Sequence, residues 1–154
     1  MLRHRLAIAA ASILVGWAAL WALTYLIERP LLIWTAPVVG SHWIATVKLA
    51  LDCLILAAVG WATGRLDRAS PLPGVLLFAA TLAFWPFSQL SPPIDLSVTP
   101  LIQLAAAGVH DARHLSLLAT ATVPYFFQFG SLIAGALLSR PAPVPFSLFG
   151  RNAR

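Results

Sequence analysis

Two ionisable residues inside an apolar stretch, Lys48 and Asp52, are the first candidates for chemistry in this sequence. They stand four residues apart, so on a helix they are neighbours and can form an ion pair. We expect Lys48 to extend outward to the interface, whereas the deeper Asp52 must pair with Lys48, meet a polar group of another helix or be protonated. A structural ion pair or subunit contact is the preferred interpretation, and a transport or proton role is the alternative.

The histidines form a second candidate group. His110 and His114 are four residues apart, a spacing that lets two helical histidines bind one metal ion. The pattern is similar to the zincin motif H-E-x-x-H, but Asp111 replaces the general-base glutamate and no third ligand is evident. We therefore predict neither a catalytic residue nor a metal site. His42, His110 and His114 stay candidate ligands for a metal or haem, against the simpler interpretation that they are polar residues at the headgroup boundary.

Other enzyme signatures are absent from the sequence. It has no Ser/His/Asp arrangement on plausible elements, no Gly-rich phosphate loop and no paired carboxylates inside the apolar segments. The single cysteine, Cys53, excludes a disulfide within the chain. The sequence thus predicts a non-enzymatic protein without a cofactor.

Four apolar segments must position these residues: 6–27, 43–64, 73–90 and 117–139. About 20 apolar residues span the hydrocarbon core of a bilayer as a helix. A content of 60% hydrophobic and 10% charged residues is far from the soluble range. We expect an all-α integral membrane protein with four transmembrane helices in one domain, residues 1–140, followed by a Pro-rich basic cytoplasmic tail, residues 141–154.

The connections between the segments lead to two smaller predictions. Residues 30–42 are too apolar for a solvated loop, so we expect a short segment that lies in or dips into the membrane interface after the first helix. Residues 101–114 are expected to form a short surface helix before the fourth span.

The charges indicate the orientation of the chain, because short cytoplasmic loops retain Lys and Arg. If all four segments cross, seven arginines fall on one side: Arg3, Arg5, Arg65, Arg68, Arg140, Arg151 and Arg154. Both termini are then cytoplasmic in a multi-pass inner (plasma) membrane protein. The net charge of +5 follows from this asymmetry, so the lipid bilayer is a predicted partner and nucleic acid is not.

The second segment carries a stripe of small residues that is typical of helix packing. At about 100° per residue its members share one face, and the last two form a GxxxG pattern. These residues are Ala50, Cys53, Ala57, Gly60 and Gly64. Lys48 and Asp52 lie near the opposite face, so both faces need protein contact. Other membrane subunits or a homo-oligomer can supply it, and so can a compact bundle with this segment in its middle.

Three functions are compatible with the sequence. The preferred one is an accessory or assembly subunit of a larger membrane protein complex, which acts through helix packing. The first alternative is a small transporter or channel component that uses Lys48 and Asp52 together with Gln89 and Gln128. The second is a binder of a hydrophobic or tetrapyrrole cofactor, with an outer histidine as ligand and the aromatic residues Phe84, Trp85, Tyr125, Phe126 and Phe127.

Overall fold

The protein is almost entirely helical in the part of the chain that the computed structural model describes, and this part contains no strand. Described are residues 2–67, 70–84, 92–94, 96–107 and 112–140, and the side chains of residues 2–5, 41, 42 and 112 are left out of the description. The predicted tail, residues 141–154, lies outside the described residues.

Six α-helices and two short turns of other helix types follow each other in the described chain. The helices are α1 (Leu2–Leu23), α2 (Arg29–Val39), α3 (Ser41–Gly64), α4 (Pro71–Ala83), α5 (Thr99–Ala106) and α6 (Ala112–Leu138). A π-turn, Thr24–Glu28, joins α1 to α2, and a 3₁₀ turn, Arg65–Asp67, follows α3.

Three stretches of helix are long and apolar enough to cross a membrane: Leu6–Val39, Trp43–Asp67 and Arg113–Leu138. Helix α4 is apolar but shorter, with 13 residues. The prediction of an all-helical protein of membrane type is therefore confirmed. The third predicted segment, 73–90, is helical only as far as Ala83 within the described residues.

The first helical stretch extends well beyond the predicted segment 6–27. It continues through the π-turn and α2 to Val39, so the expected interfacial segment at residues 30–42 is mostly helix joined directly to α1. Pro30 is compatible with this continuity because the helix widens into the π-turn just before it, which leaves room for the proline ring. Gly40, with φ of 74°, then separates α2 from α3 in a conformation that favours glycine.

Helix α3 lies at the centre of the bundle, in contact with α1, α2, α4 and α6. Its closest neighbour is α6, and the two backbones touch. A Cβ added to Gly60 would collide with the carbonyl oxygen of Leu132, and one added to Gly135 would collide with that of Ala57. This is the compact arrangement with the second segment in the middle, so α3 obtains protein contact on several sides without a second chain.

The remaining helices pack through similar small residues. Gly16 of α1 lies against the ring of Phe78 in α4, and Gly74 of α4 lies against the Ser12 side chain. Both Ser12 and Phe78 are buried. The α1–α4 contact therefore also depends on residues without bulk at the crossing point.

The order of these contacts gives the direction of each helix. Ser12 meets Gly74 and Gly16 meets Phe78, so α1 and α4 run parallel. Residues of α3 meet residues of α6 in ascending order, Ala57 with Gly135 and Gly64 with Ser139, so these two helices also run parallel. The turn after α3 contacts α1, and α3 itself follows α2 through the single residue Gly40, so the two pairs run in opposite directions.

The connection after α4 folds back onto the bundle. Val98 N donates to the Ala83 carbonyl at 3.1 Å, and the Tyr125 hydroxyl donates to the Ser97 carbonyl at 3.0 Å. Ile94 and Leu96 are buried in the core. The helix predicted over residues 101–114 is present as α5, which ends at Ala106, while His114 belongs to α6.

We predict that Gly135→Ala destabilises the protein and that Gly130→Ala does not. The first substitution forces α3 and α6 apart, at a cost of about 1–3 kcal/mol in the free energy of unfolding. Gly130 has open space where its Cβ would be, so alanine there is neutral or slightly stabilising through helix propensity. Reversible unfolding in mixed micelles measures both variants. Equal stability of the two variants contradicts the backbone contact of α3 and α6.

Candidate functional site

A buried group of polar side chains, the polar cluster, consists of Glu28, Lys48, Asp52 and Gln128. Its centre is an ion pair on α3, where Lys48 Nζ lies 3.0 Å from Asp52 Oδ1 and 2.9 Å from Oδ2. Asp52 is near the middle of α3, about 16 Å from the start of this helix at 1.5 Å per residue. The cluster is therefore inside a candidate membrane span.

Helix α6 supplies a neutral partner for the same carboxylate. Gln128 Nε2 donates to Asp52 Oδ2 at 3.0 Å, and both residues are buried. Because α3 and α6 touch through Gly60 and Gly135 about two turns away, their side chains are close enough for this short amide to reach Asp52. Asp52 thus has a charged and a neutral donor at once.

The first helix contributes a second carboxylate, which the sequence did not indicate. Glu28 Oε1 lies 3.4 Å from Lys48 Nζ, so one ammonium bridges Glu28 and Asp52. The side chains of Glu28 and Asp52 are only 4% and 6% exposed, whereas that of Lys48 is 47% exposed. The buried members of the cluster are the two acids and Gln128, and the lysine connects them to the surface of the bundle.

The π-turn explains why Glu28 faces the bundle. Arg29 N donates to the Thr24 carbonyl five residues back, which widens the helix just before Pro30. Pro30 has no N–H to donate and its ring crowds the preceding turn, so a wider turn relieves the conflict. Three residues with a four-residue spacing are buried here: Leu20, Thr24 and Glu28. Because a π-turn has more residues per turn than a regular α-helix, this spacing keeps their side chains closer to one face of the helix. The turn thus directs a carboxylate at α3.

Two buried side-chain oxygen atoms of the π-turn lack partners. Thr24 Oγ1 and Glu28 Oε2 form no hydrogen bond with any residue that the structure describes. Hydroxyls elsewhere on the helices donate to the carbonyl four residues back, as Thr35 and Thr63 do at 2.8 and 2.9 Å. An unpaired buried polar atom costs about 1–3 kcal/mol, so the polar cluster has unused capacity for hydrogen bonding.

Two expectations need correction. Lys48 does not extend outward to the interface, because its ammonium turns along α3 toward the middle of the helix to reach Asp52. Paired carboxylates are present inside the apolar helices, since Glu28 and Asp52 share Lys48. Glu28 was missed because Arg29 and Pro30 follow it, a combination typical of a loop. The signal that could have found it is the spacing of Leu20, Thr24 and Glu28.

The predicted packing stripe on α3 is divided in the structure. Ala57, Gly60 and Gly64 lie against α6, as the contacts of their backbone show. Cys53 is half-buried and Ala50 is exposed, so this part of the stripe is less covered. The close helix contact therefore occupies the second half of α3, and the polar cluster lies just before it.

The histidine candidates are not brought together by the described residues. His42 is in the first turn of α3, and its side chain is outside the description. His114 is half-buried on α6, while His110 and Asp111 lie outside the described residues. In the described part of the chain, no three His, Cys, Asp or Glu side chains are grouped to hold a metal ion.

The aromatic candidates for a cofactor site point in different directions. Tyr125 turns toward Ser97, whereas Phe126 and Phe127 are exposed and line a shallow apolar groove on α6 with Leu115. Phe84 is exposed at the end of α4, and Trp85 and Gln89 lie outside the described residues. Among the described candidates, Phe126 and Phe127 thus share a groove, and Phe84 and Tyr125 do not line it.

Comparison with known proteins gives no relative. The sequence matches no protein-family model, and no curated protein and no solved structure matches the chain. Function must therefore be inferred from the geometry, and the polar cluster is its most specific feature.

We predict strong energetic coupling between Lys48 and Asp52. In a double-mutant cycle with Lys48→Met and Asp52→Asn, the coupling should exceed about 1 kcal/mol, because the pair is bidentate and its carboxylate is shielded from water. Reversible unfolding in micelles gives the four free energies. A coupling below about 0.5 kcal/mol, typical of an exposed pair four residues apart on a helix, would show that the ion pair does not hold in the membrane-like environment.

Proposed function

We propose that this chain is a non-enzymatic, multi-pass protein of the inner membrane that serves as an accessory or assembly subunit of a larger membrane complex. The observation that carries the proposal is α2, an apolar helix with no buried residue among its eleven described residues. A helix of this kind, fixed to a well-packed bundle, needs cover from another molecule.

The length of the first helical stretch supports a protein rather than only lipid as the cover. Leu6–Val39 has 34 residues, or about 51 Å at 1.5 Å per residue. The hydrocarbon core is about 30 Å thick, and tilting shortens the projected length only in part. One end of this stretch must therefore leave the hydrocarbon, and we assign it to the tip of α2, which continues about 16 Å beyond Glu28 and the polar cluster.

The side chains of α2 give the surface its character. Ile33, Trp34 and Val38 are 73%, 80% and 84% exposed, and α2 packs only on the π-turn and α3. Large apolar side chains that extend past the lipid are typical of a subunit interface. Another membrane-embedded helix, from a partner subunit or a second copy of this chain, fits this surface.

We also propose four crossings with both termini in the cytoplasm. The alternating directions of α1, α3, α4 and α6 support this topology, and Arg65 and Arg140 lie at the same end of the bundle. Helix α4 covers about 20 Å on its own, which is less than the thickness of about 30 Å of the hydrocarbon core.

A transporter or channel component is the second candidate, and the polar cluster favours it. Two buried carboxylates beside one lysine are expensive inside a membrane, and such groups commonly mark ion or proton pathways. The cluster also includes Gln128, which is a candidate lining residue for this function.

The subunit proposal predicts a protein crosslink from α2. A photoreactive amino acid at Val38 should give a discrete adduct with another polypeptide in native membranes. The same amino acid at Leu54, which is 67% exposed on α3, should label lipid, because Leu54 lies at the depth of the hydrocarbon. Mass spectrometry identifies the adducts. Lipid adducts alone at Val38 would contradict the proposal.

The topology predicts opposite sides for two labelled positions. In a Cys53→Ala background, a cysteine at Ser70 should react with a membrane-impermeant maleimide only after the cytoplasmic side is opened. A cysteine at Ala106, at the end of α5, should react in intact cells. Both positions are exposed in the structure. Labelling of the two positions from the same side would mean that the chain between them does not cross the membrane.

A further inference from the structure

We propose that Glu28 is a proton-binding site, whose carboxyl holds an exchangeable proton inside the polar cluster. The site consists of Glu28 Oε2 as the proton acceptor, with Lys48 and Asp52 as the charged groups beside Glu28. Its ligand is a proton from water, and the inference does not depend on the chain being an accessory subunit.

The balance of charge is the first reason. With all groups ionised, Glu28 and Asp52 carry two negative charges and Lys48 carries one positive charge, which leaves one excess negative charge. Lys48 is the only lysine of the chain, and neither α4 nor α5 contains a charged residue. Arg29 does not compensate, because its guanidinium lies over the Tyr25 ring at 4.1 Å. One proton makes the described cluster neutral.

The distribution of partners selects Glu28 over Asp52 as the group that takes the proton. Asp52 accepts two contacts from Lys48 and one from Gln128, so both of its oxygens are paired. Glu28 has one donor among the described residues, Lys48 at 3.4 Å, and its Oε2 is unpartnered although the side chain is only 4% exposed. The carboxylate with the fewer donors is the one that gains more from protonation.

The second reason is that the neighbouring hydroxyl does not stabilise the Glu28 carboxylate. Thr24 Oγ1 is buried one turn before Glu28 and also lacks a partner among the described residues, so it does not donate to Glu28. Protonation forms an O–H bond at Glu28 Oε2 and removes the charge from the carboxylate that has the fewer donors. Release of the proton to water restores the carboxylate, and the Lys48–Asp52 pair stays intact in both states.

The position of Lys48 favours a proton over a metal cation. Its ammonium already lies between the two carboxylates, at 2.9 Å from Asp52 and 3.4 Å from Glu28. A metal ion at the same oxygens would be repelled by this charge, whereas a proton added to the far oxygen of Glu28 would not displace it. Lys48 is also half-exposed, so the cluster is not sealed from the surface of the bundle.

The composition of the chain permits a direct test, because Glu28 is its only glutamate. Protein grown with ¹³C-carboxyl glutamate and reconstituted in phosphatidylcholine bilayers is compared by infrared spectroscopy with unlabelled protein at neutral pH. The isotope-shifted carbonyl band of a protonated carboxylic acid is expected in the wild type. Glu28→Gln serves as the blank, because subtracting its spectrum removes the signal of any label that has passed to glutamine. The amide band of each spectrum verifies that the helices are retained.

Two variants separate a proton site from a purely structural acid. Asp52→Asn removes one negative charge, so Glu28 becomes the only carboxylate beside Lys48. Glu28 should then change to the ionised form. Lys48→Met removes the cation, so Glu28 should stay protonated. If Glu28 is ionised in the wild type, the proposal is overturned, whether the buffer cation is sodium or choline. A protonated Glu28 that is unaffected by Asp52→Asn overturns the role of the shared charge.

Discussion

Asp52 imposes the strictest physical constraint on this bundle, because a carboxylate in the middle of an apolar helix cannot be solvated by water. It must find donors from the protein, and the structure supplies them from two directions, Lys48 on its own helix and Gln128 on α6. Glu28 then has to approach the same lysine from the first helix. Three helices are thereby required to meet at one level.

Close packing of backbones makes this meeting geometrically feasible. Gly60, Gly64 and Gly135 let α3 and α6 touch, so the short Gln128 side chain reaches Asp52 without a gap. On the other side of α3, the π-turn directs Glu28 inward. In lipid there is little hydrophobic gain from bringing helices together, so small residues and polar contacts must supply the attraction. The packing and the polar cluster are thus two parts of one mechanism of assembly.

The sequence predicts the features that repeat along a regular helix. The spacing of Lys48 and Asp52 predicted neighbours, and the lengths of the apolar segments predicted membrane-type helices, of which three are long enough to cross. The inward position of Glu28 was not predicted, because a helical wheel at a constant 100° per residue does not represent a π-turn. The continuity of α1 and α2 was also not predicted, since Arg29 and Pro30 look like the end of a helix. The pairing of α3 with α6, and hence Gln128 with Asp52, depends on tertiary contacts that no local pattern encodes.

The contact of Glu28 with Lys48 can be measured as a single distance, because the chain contains one glutamate and one lysine. Solid-state NMR on protein with ¹³C-carboxyl glutamate and ¹⁵Nζ-lysine in lipid bilayers then observes one carbon–nitrogen pair, with Glu28→Gln as the blank. A strong dipolar coupling, consistent with 3.4 Å between Lys48 Nζ and Glu28 Oε1, is the predicted result. The absence of measurable coupling in folded protein would contradict a cluster built from three helices.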